Sequence, residues 1–169
     1  MGTWDENGSR VADETRTALA LEDADVDIKI GQKIILAAVI VQTAHNPDTD
    51  SFDLEWVNTT DGGAWTTLAA AGQLKFTVGT VLVNGTKPVG GKLCADVDEV
   101  DGEEIEDGVS GNITGNQNQS FECQWGIDTA DALDGKLYEF RVHSVGDDKE
   151  YALAAGINAK IHRVAIVHH

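Results

Sequence analysis

Cysteine, proline and basic charge are scarce in this chain. Of 169 residues two are cysteine and two are proline, and 12 lysines and arginines stand against 29 aspartates and glutamates. Two cysteines, Cys94 and Cys123, do not make a disulfide framework at this length. Cys123 alternates with aromatic residues and is expected to sit in a core as a small hydrophobe. A net charge of −17 repels phosphate backbones, so no nucleic-acid partner is expected. The longest apolar run, eight residues from Ile34 to Val41, falls well short of the roughly 20 that a membrane helix needs, so no membrane partner is expected either. The opening MGTWDENGSRVADETRTALALED has no basic head followed by an apolar run, and no signal peptide is expected. Glu6 stands where a myristoylation signal wants Ser or Thr.

The chemistry-bearing motifs are missing as well. No Gly-rich phosphate loop, GxSxG, HExxH or CxxC occurs. None of the five histidines, His45, His143, His162, His168 and His169, has a nucleophile or an orienting partner that the sequence makes visible. His162 with the adjacent His168 and His169 makes a poor preformed metal site. No catalytic residue, no cofactor and no metal is therefore expected, and the reading is a non-enzyme. The strongest cation signal is the stretch from Asp96 to Asp107, eight acidic residues in twelve. Asp96, Asp98 and Asp101-Gly102 invite calcium, because hard cations take clustered carboxylates, but the spacing is not that of an EF-hand loop. A solvated acidic loop that points outward is the expectation.

What the chain does have is alternation. In FECQWGID, Phe121, Cys123, Trp125 and Ile127 share one face and Glu122 and Gln124 the other; in LYEFRV, Tyr138, Phe140 and Val142 oppose Glu139 and Arg141. Phe52, Leu54 and Trp56 alternate with Asp53 and Glu55, and Asp61-Gly62-Gly63 turns the chain back into a partner strand. Asn84-Gly85 predicts a second hairpin within 75–89. Leu133, five residues before Tyr138 with Asp134-Gly135 between, suggests a tyrosine corner, in which the phenol returns to the backbone just upstream. Val26 to Thr43 is different. Both alternating sets there, Ile34/Leu36/Ala38/Ile40 and Ile35/Ala37/Val39/Val41, are apolar, so both faces must be covered. A loop, the terminal arms or another chain would serve for the second face, and the sequence leaves the choice open. The residues from Ile157 to Val167 repeat this two-sided pattern.

Short strands at regular intervals with almost no helical periodicity predict an all-β fold, an antiparallel Ig-like β-sandwich of about seven to nine strands with a long acidic loop and extended termini. The predicted layout is an N-terminal arm over 1–25, one sandwich over 26–161 and a C-terminal extension over 162–169.

Three segments, FDLEWVNTTDGGAWTTL at 52–68, QSFECQWGI at 119–127 and LDGKLYEFRV at 133–142, together resemble immunoglobulin-like or fibronectin-III-like sandwich domains in structural proteins of tailed-bacteriophage virions. The likeness spans about residues 28–160. It implies a domain that decorates capsids, necks or tail fibres, with Trp56, Trp65, Trp125 and Tyr138 as core or corner residues. The long acidic insert and the C-terminal tail depart from that pattern. The expected function is a virion structural protein, a capsid decoration or cement protein that docks on the head surface and stabilises it. Its partners would be the major capsid protein or other virion proteins, with many copies or a homo-oligomer on a symmetric shell. It would be made in the host cytoplasm and reside in the virion. Candidate interface residues are Trp4, Ile35, Val39, Val41, Val164, Ile166 and Val167. Two alternatives remain at this stage: a neck or tail-fibre adhesion domain that binds a host glycan or protein, and an extracellular filament or adhesion subunit of a cell.

Overall fold

A computed structural model of the protein describes residues 2–5, 26–41, 47–77, 82–88, 101–117, 119–146, 149–151 and 158–162, with the backbone path alone at 2–5, 26, 41, 149–151 and 158–162. Every regular element among them is a strand, and no helix occurs. The strands are β1 (Gly2–Asp5), β2 (Val26–Lys29), β3 (Lys33–Val41), β4 (Asp48–Asp50), β5 (Phe52–Asn58), β6 (Thr66–Thr67) and β7 (Lys75–Phe76), followed by β8 (Glu103–Ile105), β9 (Ile113–Gly115), β10 (Ser120–Asp128), β11 (Lys136–Ser144), β12 (Lys149–Tyr151) and β13 (Asn158–His162). Thirteen segments exceed the seven to nine expected because β4, β6, β7, β8, β9 and β12 are only two or three residues long, too short to show a period.

Two sheets hold most of the chain. In sheet one the order is β1-β3-β10-β7, and β8 joins β10 on the edge that β7 also uses. In sheet two the order is β2-β13-β11-β5-β6, with β12 alongside β11. The pairings are antiparallel except for β8 with β10 and β2 with β13. β4 and β9 form a separate ribbon. The stretch expected as a loose N-terminal arm thus contributes an edge strand, Gly2–Asp5 pairing with Ile34 to Ala37 of β3.

Sheets one and two share one apolar core. From sheet one come Ile34, Leu36, Ala38 and Ile40 of β3 with Phe121, Cys123, Trp125 and Ile127 of β10; from sheet two come Leu54 and Trp56 of β5 with Tyr138, Phe140 and Val142 of β11. Phe52 and Phe121 meet across the two layers with ring centroids 5.2 Å apart, an aromatic pair worth about 0.5–1.5 kcal/mol beyond its buried area. Each member is there because its strand alternates, and the nine-pair register of β3 on β10 keeps the inner sets opposite one another: Ile127 with Ile34, Trp125 with Leu36, Cys123 with Ala38, Phe121 with Ile40.

The second face of β3 is covered from within the chain. Ile35 and Ala37 are fully buried and form a small cluster with Leu82. On β10 the expected wet face is dry: Glu122 and Gln124 have no exposed surface, and the Gln124 amide donates to Glu122 Oε1 at 2.6 Å. The acidic insert beside it is corrected too: it is not wholly an outward solvated loop, because part of it joins sheet one. Glu103–Ile105 forms β8, Glu104 and Ile105 are buried, and Gly102 lies so close to β10 that an added Cβ would collide with the Glu122 carbonyl. Asp96, Asp98 and Cys94 lie outside the described residues. The predicted 75–89 hairpin is also corrected. Its turn closes, with Thr86 N–H donating to Val83 O at 3.0 Å, but Lys75 and Phe76 pair with β10 and Thr86 bridges to Glu104. Strand edges on β8 and β10 take up the backbone groups that a hairpin would have joined to each other.

Tyr138 is buried at the start of β11. The Leu133 N–H donates to its hydroxyl at 2.9 Å, and the hydroxyl donates to Gln73 Oε1 at 2.9 Å. The Leu133 side chain itself is exposed. Asn58, whose amide donates to Asp61, and Lys136, paired with Asp61 at 2.6 Å, continue this network to the surface. The Tyr138→Phe chain loses both phenolic bonds while keeping the ring, so it should unfold with about 1–2 kcal/mol less free energy in urea with unchanged sheet content. A loss near zero would show that the corner fixes nothing. Burial, with the Glu103 and Glu122 carboxylates adding to it, holds the Cys123 thiol well above its usual range. Iodoacetamide should therefore leave Cys123 unmodified in the folded protein and alkylate it fully in urea, as read by peptide mass; alkylation at a free thiol's rate without denaturant would contradict that burial.

Candidate functional site

The outer face of sheet two gathers the most chemistry. β5 and β11 pair in a register that sets His143 opposite Asp53, Arg141 opposite Glu55 and Glu139 opposite Val57. The same alternation that sends Leu54, Trp56, Phe140 and Val142 inward sends these charged residues outward. Arg141 Nε donates to Glu55 Oε2 at 2.5 Å, and its guanidinium carbon lies 4.4 Å from the ring centroid of Trp65. His143 Nδ1 lies 3.0 Å from Asp53 Oδ1. Both charge pairs are largely desolvated, with side-chain exposures of 15% and 13% for Arg141 and Glu55 and 18% and 12% for His143 and Asp53. At such depth, removing one partner costs more than the pair is worth, because the other charge is left in a poor dielectric.

Trp65 corrects an expectation. It was placed with the core, but β6 pairs Thr66 with Trp56 and Thr67 with Glu55, so Trp65 and Thr67 take the outer face. Trp65 is half-buried there beneath Arg141, a stack worth about 0.5–2 kcal/mol. Trp56 and Trp125 are in the core as expected, and among the described residues their indole N–H groups meet no acceptor.

An Asp–His pair is two thirds of a hydrolytic triad, so the positions of the nucleophiles matter. Cys123 points into the shared core, Ser144 donates to Asp50, Thr129 donates to the Gln32 carbonyl at 2.7 Å, and Ser110 donates to the Gly111 carbonyl at 2.8 Å. Each of these hydroxyls and thiols is engaged elsewhere, and the Asp53–His143 pair ties β5 to β11. Among the described residues no group of three His, Cys, Asp or Glu is arranged to hold a metal.

Four of the candidate interface residues, Trp4, Ile35, Val39 and Val41, lie on β1 and β3 in sheet one. Trp4 sits in β1 opposite Ile35, and Val41 ends β3 opposite Ser120. Ile35 is fully buried under Leu82 and cannot meet a partner, because the 82–88 segment already fills its face. Val39 is 36% exposed on the outer face of sheet one, and Val83 on the covering segment is exposed as well. Val164, Ile166 and Val167 lie outside the described residues. Sequence reasoning missed the Trp65–Arg141–Glu55 stack. The sequence carried no signal for it, because the face that Trp65 takes depends on the β5–β6 register.

Compared with protein-family models, curated proteins and solved structures, the chain finds no match in any of the three.

Burial holds the Asp53 carboxyl above its usual 3.8; His143 opposes the rise and Glu55 adds to it. A carboxyl raised in the folded state favours folding while protonated, so its contribution is complete below 3.8 and is lost as pH climbs through the raised value. Relative to Asp53→Asn, the wild-type unfolding free energy should therefore decline as pH rises from 3.8 through the raised value in paired urea titrations. A difference that grows over that window would mean that the His143 pair outweighs burial.

Proposed function

We propose that the chain is an immunoglobulin-like β-sandwich serving as a structural protein of a tailed-phage virion, a capsid decoration or cement protein that stabilises the head and performs no catalysis. The strand order carries this reading. β1-β3-β10-β7 corresponds to the A-B-E-D sheet of an immunoglobulin domain, and β13-β11-β5-β6 to G-F-C-C′, with β2 as a further edge strand beside G. On that correspondence Tyr138 opens strand F and returns to the E–F connection at Leu133, and Trp56 occupies strand C. The order joins the resemblance of the three segments, whose family context is the virion. In this reading the partners are the major capsid protein or other virion proteins, and the protein resides in the particle.

Docking uses the exposed Val39 and the chain's terminal segments. A footprint of about 800 Å² per partner suffices when many copies share one shell, since each need bind only modestly. β13 runs through His162, which pairs with Lys29 of β2, so a truncation that spares the sandwich must keep His162. A second reading, a neck or tail-fibre domain that recognises the host surface, is favoured by one feature. Trp65 is an aromatic ring partly open to solvent on a sheet face, a common anchor of recognition surfaces.

Sedimentation with undecorated phage heads tests both readings. The decoration reading expects saturable co-sedimentation at a fixed copy number, lost on truncation after His162 and unaffected by Trp65→Ala. A protein that ignores heads but binds host cells, with binding abolished by Trp65→Ala, would move the assignment to the adhesive reading.

A further inference from the structure

The 82–88 segment covers the outer face of sheet one, and its fastening rests on an Asn-Gly pair. Asn84 and Gly85 are exposed at the tip of the turn closed by Thr86 and Val83, with Gly85 at φ +75°. Asn84 Nδ2 donates to Asp107 Oδ2 at 3.0 Å, and Asn84 Oδ1 accepts from the Glu106 N–H at 2.9 Å. Gly85 N–H donates to the Glu104 carbonyl at 3.0 Å, and Glu104 N–H donates to the Thr86 carbonyl at 2.8 Å. Behind this latch Val83 N–H donates to the buried Glu104 carboxylate at 2.7 Å, and Leu82 packs on Ile35 and Ala37.

Asn-Gly is the dipeptide most open to spontaneous deamidation, because glycine puts no Cβ in the way of its own nitrogen. The Gly85 nitrogen attacks Asn84 Cγ; the N–Cγ bond forms, the Cγ–Nδ2 bond breaks, and ammonia leaves with the Gly85 amide proton. Water then opens the resulting succinimide at either carbonyl to give aspartate or isoaspartate. In the folded chain the attacking N–H and both atoms of the side-chain amide are engaged, so the reaction must wait for the turn to open. Once it has occurred, a carboxylate replaces the amide that donated to Asp107. The donor is gone and two like charges stand within hydrogen-bond distance.

We infer that Asn84-Gly85 is a latent deamidation site held unreactive by this latch, and that its conversion to a carboxylate releases the 82–88 segment from the outer face of sheet one. The inference is independent of the virion reading, since it concerns a bond within the chain.

The test incubates the full chain, folded and in urea, at one mildly alkaline pH and follows residue 84 by peptide mass and isoaspartate content, with the second Asn-Gly pair, Asn7-Gly8, mapped on its own peptide. Conversion at Asn84 should be at least about tenfold slower in the folded protein, the suppression expected when reaction requires a local opening held by several hydrogen bonds. Asp107→Ala should accelerate the folded-state reaction several-fold and leave the rate in urea unchanged. In Asn84→Asp, hydrogen exchange at the Gly85 and Glu104 amides should rise by about tenfold or more while that of Cys123 and Trp125 in β10 stays fixed. Equal rates in the two states, no response to Asp107→Ala, or unaltered exchange in Asn84→Asp would each overturn the inference.

Discussion

The ladder between β3 and β10 has to be dry on both sides, and the rest of the molecule is arranged around that requirement. Nine residue pairs join the two strands. One face of the ladder carries Ile34, Leu36, Ala38 and Ile40 with Phe121, Cys123, Trp125 and Ile127; the other carries Ile35, Ala37 and Val39 with Glu122, Gln124 and Gly126. The first face is closed by sheet two in the ordinary manner of two layers over one core. Among the described residues the second meets no further sheet. The 82–88 segment lies on it through Leu82 on Ile35 and Ala37, while β8 and β1 extend the sheet in its own plane along β10 and β3.

How much of this could be read from the sequence follows from the same division. β5, β10 and β11 were legible because each is seven or nine residues of period two, and the apolar surplus on both faces of β3 announced that its second face would be covered. The covering pieces were not. Glu103 and Glu104 sit within a run of eight acids in twelve, and composition gives a buried glutamate no mark that distinguishes it from its solvated neighbours. β8 has three residues, fewer than any period needs, and its parallel pairing depends on where β10 happens to pass. Trp65 was misplaced for a related reason. Its hydrophobicity argued for the core, while the β5–β6 register, which the sequence does not state, put it outside with Arg141.

Charge is handled differently on the two outer faces. On sheet two, polar partners face each other across the strands, Asp53 with His143 and the oppositely charged Glu55 with Arg141, and the stack on Trp65 shields the second pair from water. Such ladders stabilise modestly but set the register strongly, because a one-residue slip would bring the charges into the core. On sheet one the buried polar groups are Glu122, Gln124 and Glu104, and they are satisfied partly by one another and partly by the covering backbone, as where Val83 N–H meets Glu104. An overall −17 keeps copies of the chain apart in solution, and this repulsion is relieved as ionic strength rises, since surface charges are screened over about 10 Å at 0.1 M salt.

The consequence is an uneven distribution of stability. Residues on the inner face are held by apolar area, which is non-directional and tolerates small shifts. The cover over the outer face of sheet one is held by the Asn84 bonds at its tip, by backbone bonds to Glu104, by the Lys87–Asp101 ion pair and by Leu82 packed on β3, each neutral hydrogen bond worth about 1 kcal/mol net. A unit fastened in that way opens long before the core does. Its opening would bare Ile35 and Ala37 beside Val39, which is already exposed, and so turn one exposed valine into a continuous apolar strip along β3. The two-sided hydrophobic pattern of 34–41 therefore has a double meaning. It demands a cover in the isolated chain, and it supplies a binding face wherever something else displaces that cover.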